Sequence, residues 1–315
     1  MAPSILTITP NPTLDVTATI DKLRPQQKLR CGPPRYDPGG GGVNVSRVIK
    51  ELDGESRAFV CLGGSTGTQV QRLLEEREID LEVWPMAGET RTSLTVMEAA
   101  TGLHYRFVLP GPEQPEDQSA RLLARLSEII AGGFRFIVAS GSLPPGIPDD
   151  FYGRLTQRAN VHGAKLILDT HGAALEAAVS ARPYIIRLNH YEAQELIGGE
   201  AEGAAHDLAR QLIERHAAQI AIVTIGEHGA IVATADRQVE IRPPHVTVHS
   251  TVGAGDSFVG ALTIALARGW PIEDAAGYGV AAAAAAVTTE ATELCHADKV
   301  AALYAQISSS ILAPA

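Results

Sequence analysis

The chain has 315 residues, 45% of them apolar and 20% charged, which excludes a small disulfide- or metal-stapled scaffold and wholesale disorder. The 26 Lys and Arg against 36 Asp and Glu leave a net charge of −10, so a basic nucleic-acid-binding face is not expected. A small anionic ligand would need a local basic pocket against that field.

The first ten residues carry no basic leader and no sustained apolar region, which predicts no signal peptide. Strands are predicted at Ile5–Thr9, Ala58–Leu62, Phe134–Ala139, Lys165–Asp169, Tyr184–Leu188 and Ile220–Ile225. Helices are predicted at Val45–Leu52, Thr68–Glu78, Gln118–Ala131, Asp149–Val161 and Ala204–Ala217. This alternation predicts a mostly parallel sheet covered by helices on both faces. A hairpin, Ala230–Thr234 with Gln238–Ile241, and helices at Ala254–Arg268, Ile272–Thr289 and Asp298–Ser309 follow. Two stretches interrupt the alternation. Val16–Tyr36 is mixed and Pro-rich, and Thr92–Glu98 with His104–Val108 reads as two strands around Ala100-Thr101-Gly102. Together they predict a small accessory sheet acting as a lid.

The longest apolar run, Val280–Val287, is far too short to span a membrane and reads as a buried helix. Cys31, Cys61 and Cys295 are odd in number and far apart, which fits reduced thiols in a cytoplasmic protein and gives no zinc signature. The His residues show no metal-binding spacing either.

Two glycine-rich loops stand out. Four successive glycines, Gly39, Gly40, Gly41 and Gly42, precede Val43-Asn44. That much backbone entropy implies a geometric need, such as close approach of a ligand, although a flexible surface turn is the bland alternative. The loop follows the first strand too distantly for a dinucleotide fingerprint. The second is Ser250-Thr251-Val252-Gly253-Ala254-Gly255-Asp256. A helix starting near Ala254 would offer free N–H groups to a phosphoryl group, and Asp256 in its first turn would reach an attacking hydroxyl. Taken alone, Asp256 is equally a favourable first-turn acid. No P-loop sequence occurs.

In combination these motifs resemble the ribokinase-like, PfkB-type carbohydrate kinases. The early motif matches at Gly39–Asn44, the late Thr-x-Gly-Ala-Gly-Asp motif at Thr251–Asp256, and Asn-x-x-Glu at Asn189-His190-Tyr191-Glu192. The resemblance runs from Thr9-Pro10-Asn11 through Thr292-Glu293-Leu294-Cys295. It implies a three-layer α/β/α sandwich with a small β-sheet lid, residues 1–315 as one kinase domain, and lid segments about 16–36 and 92–108. Lys28-Leu29-Arg30, Thr90-Arg91, Tyr105-Arg106-Phe107 and Gly141–Gly146 resemble the sugar-phosphate kinase branch. Gly41 stands where 1-phosphofructokinases and tagatose-6-phosphate kinases typically carry Lys, as in the type B 6-phosphofructokinase pattern.

The resemblance implies roles. Asp256 is the general base, and the backbone of Gly253, Ala254 and Gly255 is the anion hole. Lys28 approaches the transferring phosphoryl. Asp15 accepts hydrogen bonds from the sugar, with Gly40, Gly41, Asn44 and Ser140 beside it, and Arg91, Arg30 and Arg106 meet the sugar's phosphate. ATP lies against Arg187, Asn189, Thr224, Gly226 and Gly229, and Glu192 organises Mg²⁺ through water. Backbone around Ser250, Val252, Ala286, Thr289 and Ala291 corresponds to a monovalent-cation loop, here for K⁺. The expected protein is a cytoplasmic homodimer that phosphorylates fructose 6-phosphate, with no nucleic-acid or membrane partner. Tagatose 6-phosphate and fructose 1-phosphate are the alternative substrates. A non-catalytic sugar-phosphate sensor and a dinucleotide oxidoreductase are the alternative classes.

Overall fold

The computed structural model describes residues 4–198, 204–290 and 292–312. β1 (Ile5–Thr9) is buried along its whole length and leads into the longer β2 (Thr13–Ile20). A loop then runs to β3 (Arg35–Gly39) and α1 (Gly41–Glu51). β4 (Arg57–Leu62), α2 (Gly64–Glu75) and β5 (Asp80–Pro85) follow, then the pair β6 (Arg91–Glu98) and β7 (His104–Val108). The alternation resumes with α3 (Gln118–Ile130), β8 (Phe136–Ser140), α4 (Phe151–Val161), β9 (Lys165–Asp169), α5 (Gly172–Val179) and β10 (Ile185–Asn189). Next come α6 (His190–Ile197), α7 (Ala205–Glu214), β11 (Ile220–Thr224), β12 (Ala230–Ala233) and β13 (Gln238–Arg242). α8 (Ala254–Ala267), α9 (Ile272–Ala286), α10 (Ala297–Tyr304) and β14 (Ser308–Leu312) complete the order.

Ten strands form one sheet in the order β14-β13-β12-β11-β10-β9-β8-β1-β4-β5. The strands from β11 to β5 pair in parallel, and β12, β13 and β14 extend the edge antiparallel. Parallel strands covered on both faces should be mostly apolar and buried, and β1, β4 and β8 are, with Thr7, Thr9 and Ser140 the buried polar exceptions. One face packs against α3 to α7 through Leu122, Leu126, Leu155, Leu175 and Leu208. The other packs against α1, α8, α9 and α10 through Val48, Phe258, Leu262, Val280 and Val300. The result is the expected three-layer arrangement. The Ala-rich run expected to be a buried helix lies in α9, where small side chains let α8 and α9 approach closely.

The second, smaller sheet runs β3-β2-β6-β7, with β2 and β6 parallel. Its edge strand β7 is exposed throughout. The sequence reading placed one of its interrupting segments at 16–36. The structure instead makes a continuous strand from Thr13 and a second strand ending at Gly39, because β2 pairs with β6 on one side and with β3 on the other. Three further corrections share a physical origin in tertiary pairing or packing. α1 starts at Gly41 rather than Val45, so the glycines form its first turn. α2 spans 64–75 rather than 68–78. The predicted helix to Ser309 ends at Tyr304, and Ser308–Leu312 instead pairs with β13. β5, α5 and α6 were not anticipated.

Chain order reverses at β1: β4 lies on one side and β8 on the other. Such a switch point leaves a crevice beyond the carboxyl ends of the strands, and α1 begins there. A Cβ on Gly42 would lie 2.7 Å from the Ile8 carbonyl oxygen, and one on Gly41 would lie 2.8 Å from the Ser140 carbonyl carbon. The glycine run thus presses a helix N-terminus onto the ends of β1 and β8.

The α1–α8 crossing is equally close. A Cβ at Gly260 would lie 2.6 Å from Cγ1 and 2.7 Å from Cβ of Val48. In a helix interior, Gly→Ala ordinarily gains about 1 kcal/mol, whereas overpacking against a stiff β-branched neighbour costs about 1–3 kcal/mol. Gly260→Ala should therefore lower stability in urea unfolding; an increase would show that this crossing is looser than described.

Candidate functional site

Two helix N-termini converge over the crevice. Gly40, at φ +112°, precedes α1, and Gly253, in the left-handed region at φ +74°, precedes α8. Neither helix has a side-chain cap, so their first N–H groups are available to a ligand. Asn44 in the first turn of α1 donates from Nδ2 to Asp256 Oδ2 in the first turn of α8, at 2.8 Å. Burial pushes the Asp256 carboxyl up to about 6, and the nearby Asp169 charge adds to the rise. The Asn44 hydrogen bond and the Arg187 and Arg106 charges oppose it.

Asp15 sits on β2, opposite Asp37 on β3 and Ser93 on β6. Burial raises its carboxyl to about 6 as well, against the charges of Arg106, Arg47 and Arg91. Its Oδ1 is buried and has no hydrogen-bond partner. Such an orphaned acceptor calls for a donor from outside the chain. Gly39 is required beside it, because a Cβ there would lie 2.6 Å from the Asp15 carboxyl carbon.

On the side of β8 to β11, the strand ends supply a chain of polar groups. Ser140 Oγ donates to Asp169 Oδ2 at 3.2 Å. Arg187 Nη1 meets Asp169 Oδ1 at 3.3 Å, and its Nη2 donates to Thr224 Oγ1 at 2.9 Å. Arg187 Nε is buried without a partner. The same guanidinium lies against Gly255, whose Cβ would come 2.8 Å from Nη1. Gly226 and Gly229, at φ +55° and +95°, shape the turn after β11, and a Cβ on Gly229 would run into the Ile241 carbonyl.

Most of the residues singled out from sequence are thus brought together: Asp15, Gly39–Gly42, Asn44, Arg91, Ser140, Arg187, Thr224 and Gly253–Asp256. Arg91 is held at the start of β6 by the Asn11 and Leu109 carbonyls, which receive its Nη2 at 3.0 Å and its Nη1 at 3.3 Å. Arg106 is exposed on β7, yet its charge acts on both Asp15 and Asp256. Lys28 and Arg30 lie exposed in the loop between β2 and β3, away from any described partner.

Asn189 and Glu192 form a reciprocal capping box at the start of α6. Asn189 Oδ1 accepts from the Glu192 N–H at 2.9 Å, and Glu192 Oε2 accepts from the Asn189 N–H at 2.8 Å. No cluster of three metal-ligating side chains occurs among the described residues. Mg²⁺ keeps several waters and takes its other ligands from phosphates, so the carboxylate of this capping box would meet it through water. In the loop expected to hold K⁺, the Ala286 carbonyl already accepts from the backbone N–H and Oγ1 of Thr289, at 3.1 and 2.8 Å. The Val287 carbonyl accepts from the His249 and Ser250 N–H groups, and the Val252 N–H donates to Ser250 Oγ. Ala291 falls outside the described residues. The loop expected to hold K⁺ is thus described at Ser250, Val252, Ala286 and Thr289.

Three residues at the site were not singled out from sequence. Asp169 ends a correctly predicted strand, so its position at a strand's carboxyl end was the available signal. Arg47 follows Asn44 by three residues on one helix, a spacing that predicts contact. Asp37 gave no local signal, because its partners are distant in sequence. The three cysteines are free, with Cys31 exposed and Cys61 and Cys295 buried; burial raises both buried thiols, Cys295 to about 12.

A doubly wound α/β sheet whose switch point gathers two open helix N-termini, the buried Asp15 and half-buried Asp256 carboxylates and several arginines defines an anion-handling enzyme of the α/β class. The pfkB family carbohydrate kinase pattern matches residues 11–299, and the chain belongs to that family, whose members are phosphotransferases acting on a sugar alcohol group. It is similar to the ATP-dependent 6-phosphofructokinase isozyme 2 of Mycobacterium tuberculosis, 40% identical over 300 residues that cover 95% of this chain and 88% of that one. It is also similar to crystal structures of phosphofructokinase-2 from Escherichia coli. The complex with potassium superposes with a TM-score of 0.91 at 35% identity, covering 96% of this chain and 98% of that chain. The complex with fructose-6-phosphate gives 0.89 at 34% identity, with the same coverage. No helix among the described residues is long and apolar enough to cross a membrane.

The raised carboxyls fix a sign for stability. An unfolded Asp titrates near 3.9, so between about 4 and 6 the native state binds more protons than the unfolded one, and stability falls as pH rises through that window. Above pH 6 the charged Asp256 opposes folding. Asp256→Asn should raise the melting temperature at pH 7.5 by roughly 2–5 °C, with the difference shrinking below pH 6. A lower melting temperature at pH 7.5 in scanning calorimetry would contradict the assignment.

Proposed function

We propose that the protein is an ATP-dependent sugar-phosphate kinase that converts fructose 6-phosphate and ATP to fructose 1,6-bisphosphate and ADP. The observation that carries this reading is the half-buried Asp256 carboxylate, set among the open N–H groups of Gly253–Gly255 and hydrogen-bonded by Asn44. A sugar hydroxyl is far too weakly acidic to attack unaided, and a positioned carboxylate takes its proton as the O–P bond forms. The γ-phosphoryl passes to the hydroxyl oxygen, the bond to the β-phosphate oxygen breaks, and ADP leaves with that electron pair. Charge gathering on the transferring group is met by the α8 N–H groups and by Arg187. Mg²⁺ supplies charge neutralisation on the nucleotide phosphates, and Glu192 and Asn189 would orient its waters.

Asp15 would accept from sugar hydroxyls, which gives its orphaned Oδ1 a partner. Gly41 brings no cation to the glycine loop, which supports a substrate whose phosphate lies away from it. The counter-charge then comes from the small sheet, through Arg91 and Arg106, so the far end of the sugar carries the phosphate. Lys28 and Arg30 would join only when their loop closes. In this reading residues 1–315 act as one kinase domain. The small sheet serves as its lid, over segments 13–39 and 91–108, and excludes water from the reaction.

The lid also leaves Leu94, Leu103, Phe107, Val108 and Leu109 exposed. An apolar face of that kind is normally covered, and a homodimer of this cytoplasmic enzyme would cover it. A sensor reading is weaker, because such a protein would have no use for a raised-pKa carboxylate at a phosphoryl-binding helix end.

Asp256→Asn should lower kcat by about 10²–10⁴-fold while ATP binding stays within about threefold, measured by coupled ADP release and by calorimetry. Near-normal turnover would remove the base assignment. Across fructose 6-phosphate, tagatose 6-phosphate, fructose 1-phosphate, fructose and ribose, kcat/KM should be highest for the first. Preference for fructose 1-phosphate would overturn the reading of Gly41.

A further inference from the structure

The Asn44 amide has a direction. Its Nδ2 faces Asp256, and its Oδ1 accepts from Arg47 Nη1 at 3.0 Å. A guanidinium can only donate and a carboxylate can only accept. Turning the amide over would set donor against donor and acceptor against acceptor, so Arg47 fixes which edge of Asn44 meets Asp256.

Arg47 is itself clamped. Its side chain is only 12% exposed. Nη1 also donates to the Pro38 carbonyl at 3.1 Å, and Nη2 lies 3.9 Å from Asp37 Oδ1. Asp37 is buried and held from three directions. Arg77 Nη2 reaches its Oδ1 at 2.9 Å, Arg35 Nε reaches its Oδ2 at 2.9 Å, and Thr292 Oγ1 donates to Oδ2 at 2.8 Å. The anchor therefore ties β3, α1, the turn after α2 and the segment at Thr292 into one unit beneath the crevice. Three cations around one carboxylate exceed what pairing alone requires. Of the three, Arg47 continues toward the site.

We propose that Arg47 is a positioning residue for phosphoryl transfer: clamped by Asp37 and Pro38, it holds the Asn44 amide so that its N–H faces Asp256 and thereby fixes the orientation of the base. The inference rests on the reading of Asp256 as that base. Arg47 touches no substrate in this account but lends its charge to Asp15, and because Arg47→Lys keeps that charge, the Lys variant isolates the effect of amide orientation on the chemical step. Lys is a poor substitute. One ammonium on a flexible stem cannot serve the Pro38 carbonyl, Asn44 Oδ1 and Asp37 together in a fixed plane.

The test is a double-mutant cycle on the full-length enzyme with fructose 6-phosphate and ATP, read by ADP release. Arg47→Met should lower kcat about 10–100-fold, and Arg47→Lys, which keeps the charge acting on Asp15, should lower kcat less and leave both KM values within about threefold. In an Asn44→Ala background either Arg47 change should cost less than about threefold, because the residue it acts through is gone. If Arg47→Met does not fold, the cycle with Arg47→Lys decides. Parental kcat in Arg47→Lys, full additivity with Asn44→Ala, or a loss confined to KM would each overturn the inference. Asp256→Asn separates the two levels. An active Asp256→Asn enzyme sinks the base reading, whereas an inactive one with an additive cycle sinks the Arg47 inference alone.

Discussion

The first turns of α1 and α8 are joined by one hydrogen bond, and much of the molecule exists to make that contact possible. Each helix end carries the positive pole of its dipole and a set of N–H groups without acceptors. Bringing two such ends together is unfavourable unless negative charge lies between them. Asp256 lies between them, but desolvation makes its own charge costly, so it answers the two ends only in part. A phosphoryl group in transit would supply the rest, so the folded enzyme is left electrostatically incomplete in the place where its ligand belongs.

The convergence has a cost that is met by packing elsewhere. Glycines at 41 and 42 bring α1 down onto the ends of β1 and β8, and Gly260 lets α8 cross α1 against Val48. Behind them, the alanines of α9 allow a third helix to lie close to α8. A buried carboxylate near 6 means that the protein carries its base at the expense of stability. The buried apolar side chains of β1, β4 and β8 offset that expense, each contributing about 1.5–3 kcal/mol.

Much of this was legible in the sequence, for identifiable reasons. The parallel strands announce themselves as short apolar runs, and Gly253-Ala254-Gly255-Asp256 combines residues that have few other uses together. What could not be read depended on partners remote in the chain. β2 and β3 look irregular because they are strands only through pairing, β2 with the distant β6 and β3 with β2, and Ser308–Leu312 is a strand only beside β13. Asp37 is invisible for the same reason. Its meaning lies in Arg35, Arg47, Arg77 and Thr292, which no local window contains together. The opposite error occurred at Gly41–Asn44: a glycine run argues for a loop, yet here it starts a helix because the strand ends below leave no room for side chains. Lys28 and Arg30 were chosen for their chemistry, and the structure leaves them outside the cluster.

The central claim is that Asp256 is a carboxylate held near neutrality by burial and steadied by Asn44. The most direct measurement is a carbon-13 NMR titration of the Asp side-chain carboxyls in the free enzyme, with the Asp256 signal assigned by its loss in Asp256→Asn. The account predicts a midpoint near 6 that moves higher in Asn44→Ala, where the stabilising N–H is gone. A midpoint in the ordinary range around 4, unmoved by Asn44→Ala, would contradict it.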